Sequence, residues 1–554
     1  MRSIVDSESQ NQVTAADGEA SSPMRSEFAI GTALFLFCVA YLFAFRHYSS
    51  LEPDEGIVLA GAERILHGEV PYRDFFSFYT PGSFYLVALL FRVFGDSLTV
   101  ARTSLAVTGA GCSVITYVLA HRVCSRAIAL FAALLATITA VPYRFLVLHN
   151  WYSTLLCCLA VYAAVQFIDS RRQMWAFATG SLAALTILFE QSKGAGLCLG
   201  LAVGFLAVRV LGRAFLFRRS RSAAFAAGFL WPFIVTFAYF GSQRTITVML
   251  QDWLWPLRHY TEANHVVYGW QNWSEQARDT IFYTGPAWLR ILKVFAVSPG
   301  LLVPVLPLIA VGLFAYWAFH IRTGKVASVK TNYYVLVSAV LSGLLISVVI
   351  VRADIIHFMY LSPLWYVLLA WILGAPELYS RVSVTARPYV VAYIAITFGL
   401  MGFALLLAAT GAHNLIETRR GLVKTSAKDT VVEYIQAHVP AGKEVLVYPY
   451  LPLYNYLTAT RSPSRYDYFQ PGMNTPEQAQ EIIASLQSHD VRAILFEPWF
   501  AQKFANSWPG TPLSTIVKDP VADYIVRNYH VCQVLNSASN WRFEYRVRKD
   551  MLCP

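Results

Sequence analysis

The sequence predicts a mostly α-helical, polytopic membrane bundle of about eleven spans with surface helices, followed by a small C-terminal α/β outer domain. Three observations predict this class. Hydrophobic residues make up 56% of the 554 residues and charged residues 14%, with a mean hydropathy of +0.46, which excludes a soluble enzyme with one core. Apolar runs long enough to cross a bilayer recur up to about residue 410. After that point, short strand-like and helical patterns alternate.

The net charge of +11 does not indicate binding to nucleic acid. The basic residues occur in short clusters between the apolar spans rather than along one face. This distribution is typical of signals that orient a membrane protein. We therefore expect membrane lipids as partners and no nucleic acid.

Residues 1–27 are polar and lack a hydrophobic period, which predicts a disordered cytoplasmic tail rather than a signal peptide. Spans are expected within a membrane domain that covers 28–410. They lie near residues 28–45, 98–120, 126–146, 150–168, 174–190, 194–211, 222–240, 298–319, 332–351, 356–375 and 388–409. The run 82–95 is only about 14 residues long, so it is expected to lie along the membrane surface.

This assignment of spans orients the chain. With the tail inside, every basic loop falls on the cytoplasmic side, as the positive-inside rule requires. These loops are 121–126, 171–172, 213–221, 322–330 and 381–387. The polar loops and the C-terminal domain, 411–554, then share the outer face. The predicted location is the inner (plasma) membrane, with the C-terminal domain periplasmic or extracytoplasmic.

The first outer loop contains a polar island in which two carboxylates, Asp54 and Glu55, are adjacent. Apolar residues after the island fall on one helical stripe that stops near Gly68, which places Asp54 at the start of a surface helix. In one interpretation, Asp54 satisfies free backbone amides of that helix. In the other, the pair is functional, because it lies where a lipid headgroup would be presented.

Four stretches carry a resemblance: Pro53-Asp-Glu-Gly56, Gly68-Glu-Val-Pro-Tyr-Arg-Asp-Phe75, Thr80-Pro-Gly82 and Phe94-Gly-Asp-Ser97. They resemble bacterial membrane glycosyltransferases of the protein O-mannosyltransferase and lipid A aminoarabinose transferase type, which have the GT-C fold. The resemblance is strong over about 50–250, extends to 410 and fades beyond. It implies a sugar donor carried on a polyprenyl phosphate. It also implies that the residue matching Asp54 activates the acceptor or binds a metal, beside a second acidic residue that matches Glu55.

Transfer of a sugar from a lipid phosphate requires a carboxylate that takes the acceptor's proton and cations that hold the departing phosphate. We assign Asp54 and Glu55 as the catalytic residues. The candidate phosphate-binding residues are the cations of the outer face: Lys193, Arg258, His259, Arg352 and His357.

Several of these cations also have a structural interpretation. Lys193 lies between two spans and can reach headgroups or pair with Glu190. Asp354 and His357 can share a helical face, which is as typical of an ion pair at a span end as of a phosphate site. A catalytic zinc is not expected, because no two histidines have helix-ligand spacing. A divalent ion held by the acidic island is compatible with the sequence.

A different class of function also has to be considered. A transporter or flippase, or a ligase or polymerase, of lipid-linked glycans would share much of this pattern. Transporters usually show a two-fold internal repeat and polar or broken helices at mid-membrane. We find no such repeat, and the charged groups gather at one face of the membrane. The sequence therefore favours a glycosyltransferase.

Two cysteines, Cys532 and Cys553, lie in the outer domain. An oxidising compartment favours their pairing. We therefore predict a disulfide between them.

Overall fold

The fold is described from a computed structural model over residues 25–211, 218–260, 266, 268–269, 275–323, 329–374, 381–470, 473–500, 518–539 and 541–554. Within these residues, nine helices are long and apolar enough to cross a membrane. The predicted class, a multi-pass helical bundle with a small C-terminal sheet domain, is confirmed. Most of the predicted tail lies outside the described residues, and the first helix begins at Arg25.

The helices of the membrane half are numbered in chain order. They are α1 (Arg25–Phe43), α2 (Pro53–Leu66), α3 (Gly82–Phe94), α4 (Leu98–His121), α5 (Arg126–Tyr143), α6 (His149–Ser170), α7 (Gln173–Phe189), α8 (Gln191–Leu211), α9 (Arg219–Ser242), α10 (Ile246–Trp255), α11 (Glu275–Phe282), α12 (Ala287–Val297), α13 (Leu306–Arg322), α14 (Val329–Val351), α15 (Ile355–Met359), α16 (Ser362–Gly374) and α17 (Arg381–Thr410). A π-helical turn, Pro256–Tyr260, follows α10, and a 3₁₀ segment, Ser298–Val305, precedes α13.

The span predicted at 174–190 is α7, an apolar helix of 17 residues that begins and ends one residue earlier than predicted and is shorter than the nine long helices of the described residues. Another predicted span differs from expectation. The span predicted at 356–375 is divided into α15 and α16. Pro363 follows the break, and proline has no backbone N–H and clashes with the preceding turn, so one continuous helix is disfavoured there. The run predicted to lie along the surface, 82–95, is α3, whose 13 residues are fewer than the roughly 20 that a membrane-crossing helix needs.

The C-terminal domain contains a hairpin and a mixed sheet. The hairpin pairs β1 (Asn414–Thr418) with β2 (Gly421–Thr425). The sheet has the order β3-β4-β6-β5, in which β3 and β4 are parallel and the other pairs are antiparallel. Its strands are β3 (Val445–Tyr448), β4 (Ala493–Phe496), β5 (Tyr529–Asn536) and β6 (Arg542–Arg548), and the helices are α18 (Val431–His438), α19 (Leu453–Thr458), α20 (Pro476–Ser488) and α21 (Pro520–Asn528).

The C-terminal domain packs directly on α2. A Cβ atom at Gly56 would lie 2.2 Å from the backbone nitrogen of Leu453, so only glycine permits this approach between α2 and α19. Beside it, the guanidinium of Arg420 pairs with Glu63 on α2 and, at 3.0 Å, with Asp96 before α4. These contacts fix the domain above the first residues of α2, where the acidic island lies.

Cys532 and Cys553 form a disulfide that ties the end of the chain to β5, with their Cα atoms 5.5 Å apart. Such a cross-link stabilises the domain by about 3 kcal/mol, chiefly by restricting the unfolded chain. We expect alkylation and mass spectrometry to label neither thiol until the protein is reduced. Labelling of both thiols without reduction would exclude the bridge.

Candidate active site

A cavity of about 1180 Å³ lies between one end of the helical bundle and the C-terminal domain. Most of the elements that meet there contribute polar or aromatic side chains. The lining includes Glu52, Asp54, Tyr79, Arg144, His149, Glu190, Arg352, Asp354, His357, Tyr360, Tyr450, Tyr468 and Trp541. A concave site with a few convergent polar groups is typical of a ligand site.

Asp54 faces this cavity from the first turn of α2. The helix begins at Pro53, whose fixed φ and missing N–H suit a first helical position. One carboxylate oxygen, Oδ2, accepts a hydrogen bond from Nη2 of Arg144 at 2.7 Å, and the other, Oδ1, accepts one from the hydroxyl of Tyr450 at 2.7 Å. The same Arg144 nitrogen lies 2.5 Å from Glu52. Side chains from distant parts of the chain therefore orient Asp54, which favours the functional interpretation over the helix-start one.

Glu55 does not line the cavity, and this corrects the expectation that the two carboxylates act together. Its side chain is fully buried, and Arg102 donates to its two oxygens at 3.0 and 2.6 Å. Adjacent residues of a helix point about 100° apart, so neighbours in sequence need not share a surface. Asp54 and Glu55 do not share a divalent ion in this arrangement, and Glu55 holds α2 to α4.

Lys193 is buried beside the cavity, and all three N–H donors of its ammonium have partners. Its ammonium pairs with Glu190 at 2.8 Å. It also donates to the carbonyl oxygen of Asn150 at 2.8 Å and to the hydroxyls of Ser153 and Thr154 at 2.9 and 3.0 Å. An ammonium has three N–H donors, and these contacts use them. The structure supports the pairing with Glu190 rather than the predicted contact with phosphate.

Glu190 brings a further carboxylate to the cavity. Burial raises its pKa, but the charges of Lys193 and His149 outweigh burial and bring the pKa to about 2. The group is therefore an anion at neutral pH. From the sequence, Glu190 is expected only as a partner of Lys193, although its place in a turn between two spans is a usable signal of a site residue.

The turn after α14 presents Arg352, Asp354 and His357 to the same cavity. Asp354 lies 2.6 Å from Nε of Arg352 and 2.6 Å from Nδ1 of His357, and its side chain caps α15. Burial raises the pKa of Asp354, but the adjacent His357 and Arg352 hold it well below its usual range. The predicted contact between Asp354 and His357 is present, and the side chains of Arg352 and His357 reach the cavity while both contact Asp354.

Arg258 and His259 are not brought to the cavity. Both lie in the π-helical turn and have exposed side chains, and the ring of His259 packs 5.2 Å from that of Trp255. The preceding residues of the same turn, Pro256 and Leu257, line the cavity instead. The structure therefore does not support a phosphate site at Arg258 and His259.

Arg144, His149 and Tyr450 were not predicted from the sequence as cavity residues. Arg144 could have been found, because it lies at the end of the predicted span 126–146 that is opposite the basic loops. The positive-inside rule does not expect a basic residue at that end. His149 follows it in a short connection between two spans. Nothing in the sequence indicates that Tyr450 is a site residue, since only the docking of the C-terminal domain brings it to Asp54.

Residues 79–249 match the family described as dolichyl-phosphate-mannose-protein mannosyltransferase. This segment includes Arg144 and Glu190 but not Asp54. A search of curated proteins gives no significant match.

Two solved structures have similar folds. One is the oligosaccharyltransferase of Archaeoglobus fulgidus tethered with an acceptor peptide, at 11% identity and a TM-score of 0.50, covering 94% of this chain and 74% of that one. The other is ArnT from Cupriavidus metallidurans bound to undecaprenyl phosphate, also at 11% identity and a TM-score of 0.50, covering 94% and 97%. At these identities the likeness establishes the fold. Together with the family match, it confirms the resemblance found in the sequence: the chain has the GT-C fold of the membrane glycosyltransferases.

Proposed function

We propose that the protein is an integral membrane glycosyltransferase that moves a sugar from a polyprenyl-phosphate donor to a lipid, glycan or protein acceptor. The observation that carries the proposal is the cavity in which Asp54, Arg144 and Arg352 meet under the C-terminal domain. The family match over 79–249 and the similar fold of a protein bound to undecaprenyl phosphate support it.

In the proposed reaction, the bond between the sugar's anomeric carbon and the phosphate oxygen breaks, and polyprenyl phosphate leaves with the electron pair. The acceptor oxygen forms the new bond to that carbon, and its proton passes to Asp54. A positioned base of this kind accelerates transfer as bonding develops. Cations at the leaving phosphate stabilise the charge that accumulates there.

Arg144 can contact both the base, Asp54, and the phosphate of the donor. A guanidinium has five N–H donors in a planar fork. One of its nitrogens, Nη2, contacts both Glu52 and Asp54. Its other donors can therefore contact phosphate oxygens without releasing Asp54. We assign Arg352 and His357, which line the same cavity, to the same phosphate.

A divalent ion is a separate question, because Asp54 and Glu55 do not form a common site. Such an ion would require other ligands. Comparing transfer with and without a chelator tests this point directly.

The proposal is tested in membranes that contain the protein and radiolabelled polyprenyl-phosphate sugars. We expect label to pass to a second molecule, and we expect Arg352→Gln to weaken donor use, because it removes a cation from the cavity. Arg219→Gln removes the same charge from the exposed start of α9 and is the matched control. Label that crosses the membrane without changing molecule would contradict a transferase and indicate a transporter.

We also propose the orientation predicted from the basic loops, with the N-terminus inside and the C-terminal domain outside. Reporter fusions at Ser170 and at residue 415 should therefore report opposite sides of the membrane. Finding both reporters on one side would overturn the orientation and with it the placement of the cavity at the outer face.

A further inference from the structure

We propose that Tyr450 keeps water from binding to the Asp54 carboxylate. Its hydroxyl occupies the position on Oδ1 that the acceptor hydroxyl takes during transfer, and the acceptor has to displace it. The inference rests on the proposed function and adds to it a residue that separates transfer from hydrolysis of the donor.

The contact is made across two halves of the chain. Tyr450 follows β3 in the C-terminal domain and donates to Oδ1 of Asp54 at 2.7 Å, over a separation of 396 residues. The side chain is only 5% exposed. Its ring packs edge-on against Tyr468, with centroids 4.8 Å apart. This packing aims the hydroxyl at the carboxylate, so the contact depends on how the domain is seated.

The two carboxylate oxygens have different surroundings. Oδ2 accepts from the Arg144 guanidinium at 2.7 Å, and a proton added there would lie against a positive charge, so Oδ1 is the oxygen that receives a proton more readily. The Asp54 side chain is 37% exposed toward the cavity, so small molecules can approach it. A base in this position accepts a proton from whichever hydroxyl binds to Oδ1.

Water and the acceptor compete for that oxygen with different consequences. If the acceptor binds, its oxygen replaces the phosphate oxygen on the anomeric carbon and the transfer product forms. If water binds, the same bond breaks, its oxygen goes to the anomeric carbon, and free sugar and polyprenyl phosphate result. In both cases the proton goes to Asp54.

A phenol is suited to hold the position without reacting. A tyrosine hydroxyl is an O–H donor, as an acceptor hydroxyl is. Its bond to a carboxylate has the length of any O–H···O⁻ contact, so an acceptor can exchange with it. The ring fills space that water would otherwise occupy.

The test is Tyr450→Phe, which keeps the ring and removes the hydroxyl. We expect the release of free sugar from labelled donor, measured without acceptor, to rise about tenfold, because a hydrogen bond that competes with water is lost. With acceptor present, transfer should persist and the KM for acceptor should fall. A fall in the KM for acceptor distinguishes this role from a purely structural one, because loss of structural support would not lower the KM.

The matched control is Tyr434→Phe, the same change on α18 of the C-terminal domain, outside the cavity lining. It should leave the ratio of hydrolysis to transfer unchanged. Two results would overturn this role of Tyr450 and leave the proposed function standing. In the first, Tyr450→Phe transfers at the wild-type rate and releases no more sugar than wild type. In the second, transfer falls while hydrolysis of the donor is unchanged. A wild-type protein that neither transfers nor hydrolyses any polyprenyl-phosphate sugar overturns both this role and the proposed function.

Discussion

Asp54→Asn is expected to slow glycosyl transfer by about 10²- to 10⁴-fold, because the amide cannot take the acceptor's proton. Expression should remain near normal. The asparagine oxygen can accept from Arg144, and its NH₂ group can donate to the hydroxyl of Tyr450, because a phenol oxygen accepts as well as donates. The substitution thus removes the charge and the base while it keeps the shape of the site. Initial rates in membranes with equal amounts of protein measure the effect.

The control for this prediction is Asp523→Asn, the same change at an exposed position in the first turn of α21. It should transfer at the wild-type rate. A well-expressed Asp54→Asn protein with full activity would show that Asp54 is not the base. The interpretation of Asp54 as a helix-start carboxylate would then be the better one.

Arg102→Met is expected to destabilise the protein by about 3–5 kcal/mol, because it leaves the carboxylate of Glu55 buried without its partner. Both side chains of this pair are fully buried. Arg102 also donates to the carbonyl oxygens of Arg46 and Tyr48, at 3.1 and 2.7 Å, so its removal leaves those groups with one donor fewer. The fraction of protein that stays folded in detergent on heating measures the loss.

The double variant Glu55→Leu with Arg102→Met tests the physical cause. Removing both charges takes away the unpaired carboxylate, and buried ion pairs replaced by apolar groups often lose little stability. The double variant should therefore be more stable than Arg102→Met alone. If Arg102→Met were as stable as wild type but inactive, Glu55 and Arg102 would have a role in the reaction rather than in holding α2 to α4.

The fold class could be predicted because its signals are local. Each span is an uninterrupted apolar run, and crossing a bilayer demands a helix whose backbone groups are satisfied within the run itself. The spans at 98–120 and 332–351 were located within a few residues, since α4 and α14 begin and end close to those positions. The division of the predicted span 356–375 into α15 and α16 was not predicted, because hydropathy does not register a break such as that before Pro363.

The site was predicted only where a residue type is unusual for its position. Asp54 was found because two carboxylates at a membrane edge are rare, and Arg352 and His357 were found as cations at the end of a span. The same reasoning placed Glu55, Lys193 and the exposed turn after α10 in the site, because sequence patterns register charge but not direction or partner.

The sequence alone determined that this chain is a membrane bundle with its acidic island at one end, because hydropathy and loop charge act over tens of residues. Only the tertiary structure decided which carboxylate faces the cavity, since a step of one residue turns a helical side chain about 100°. It also decided that Arg144 and Tyr450 hold Asp54. Those contacts join segments 90 and 396 residues apart, and the second forms only because the C-terminal domain packs on α2.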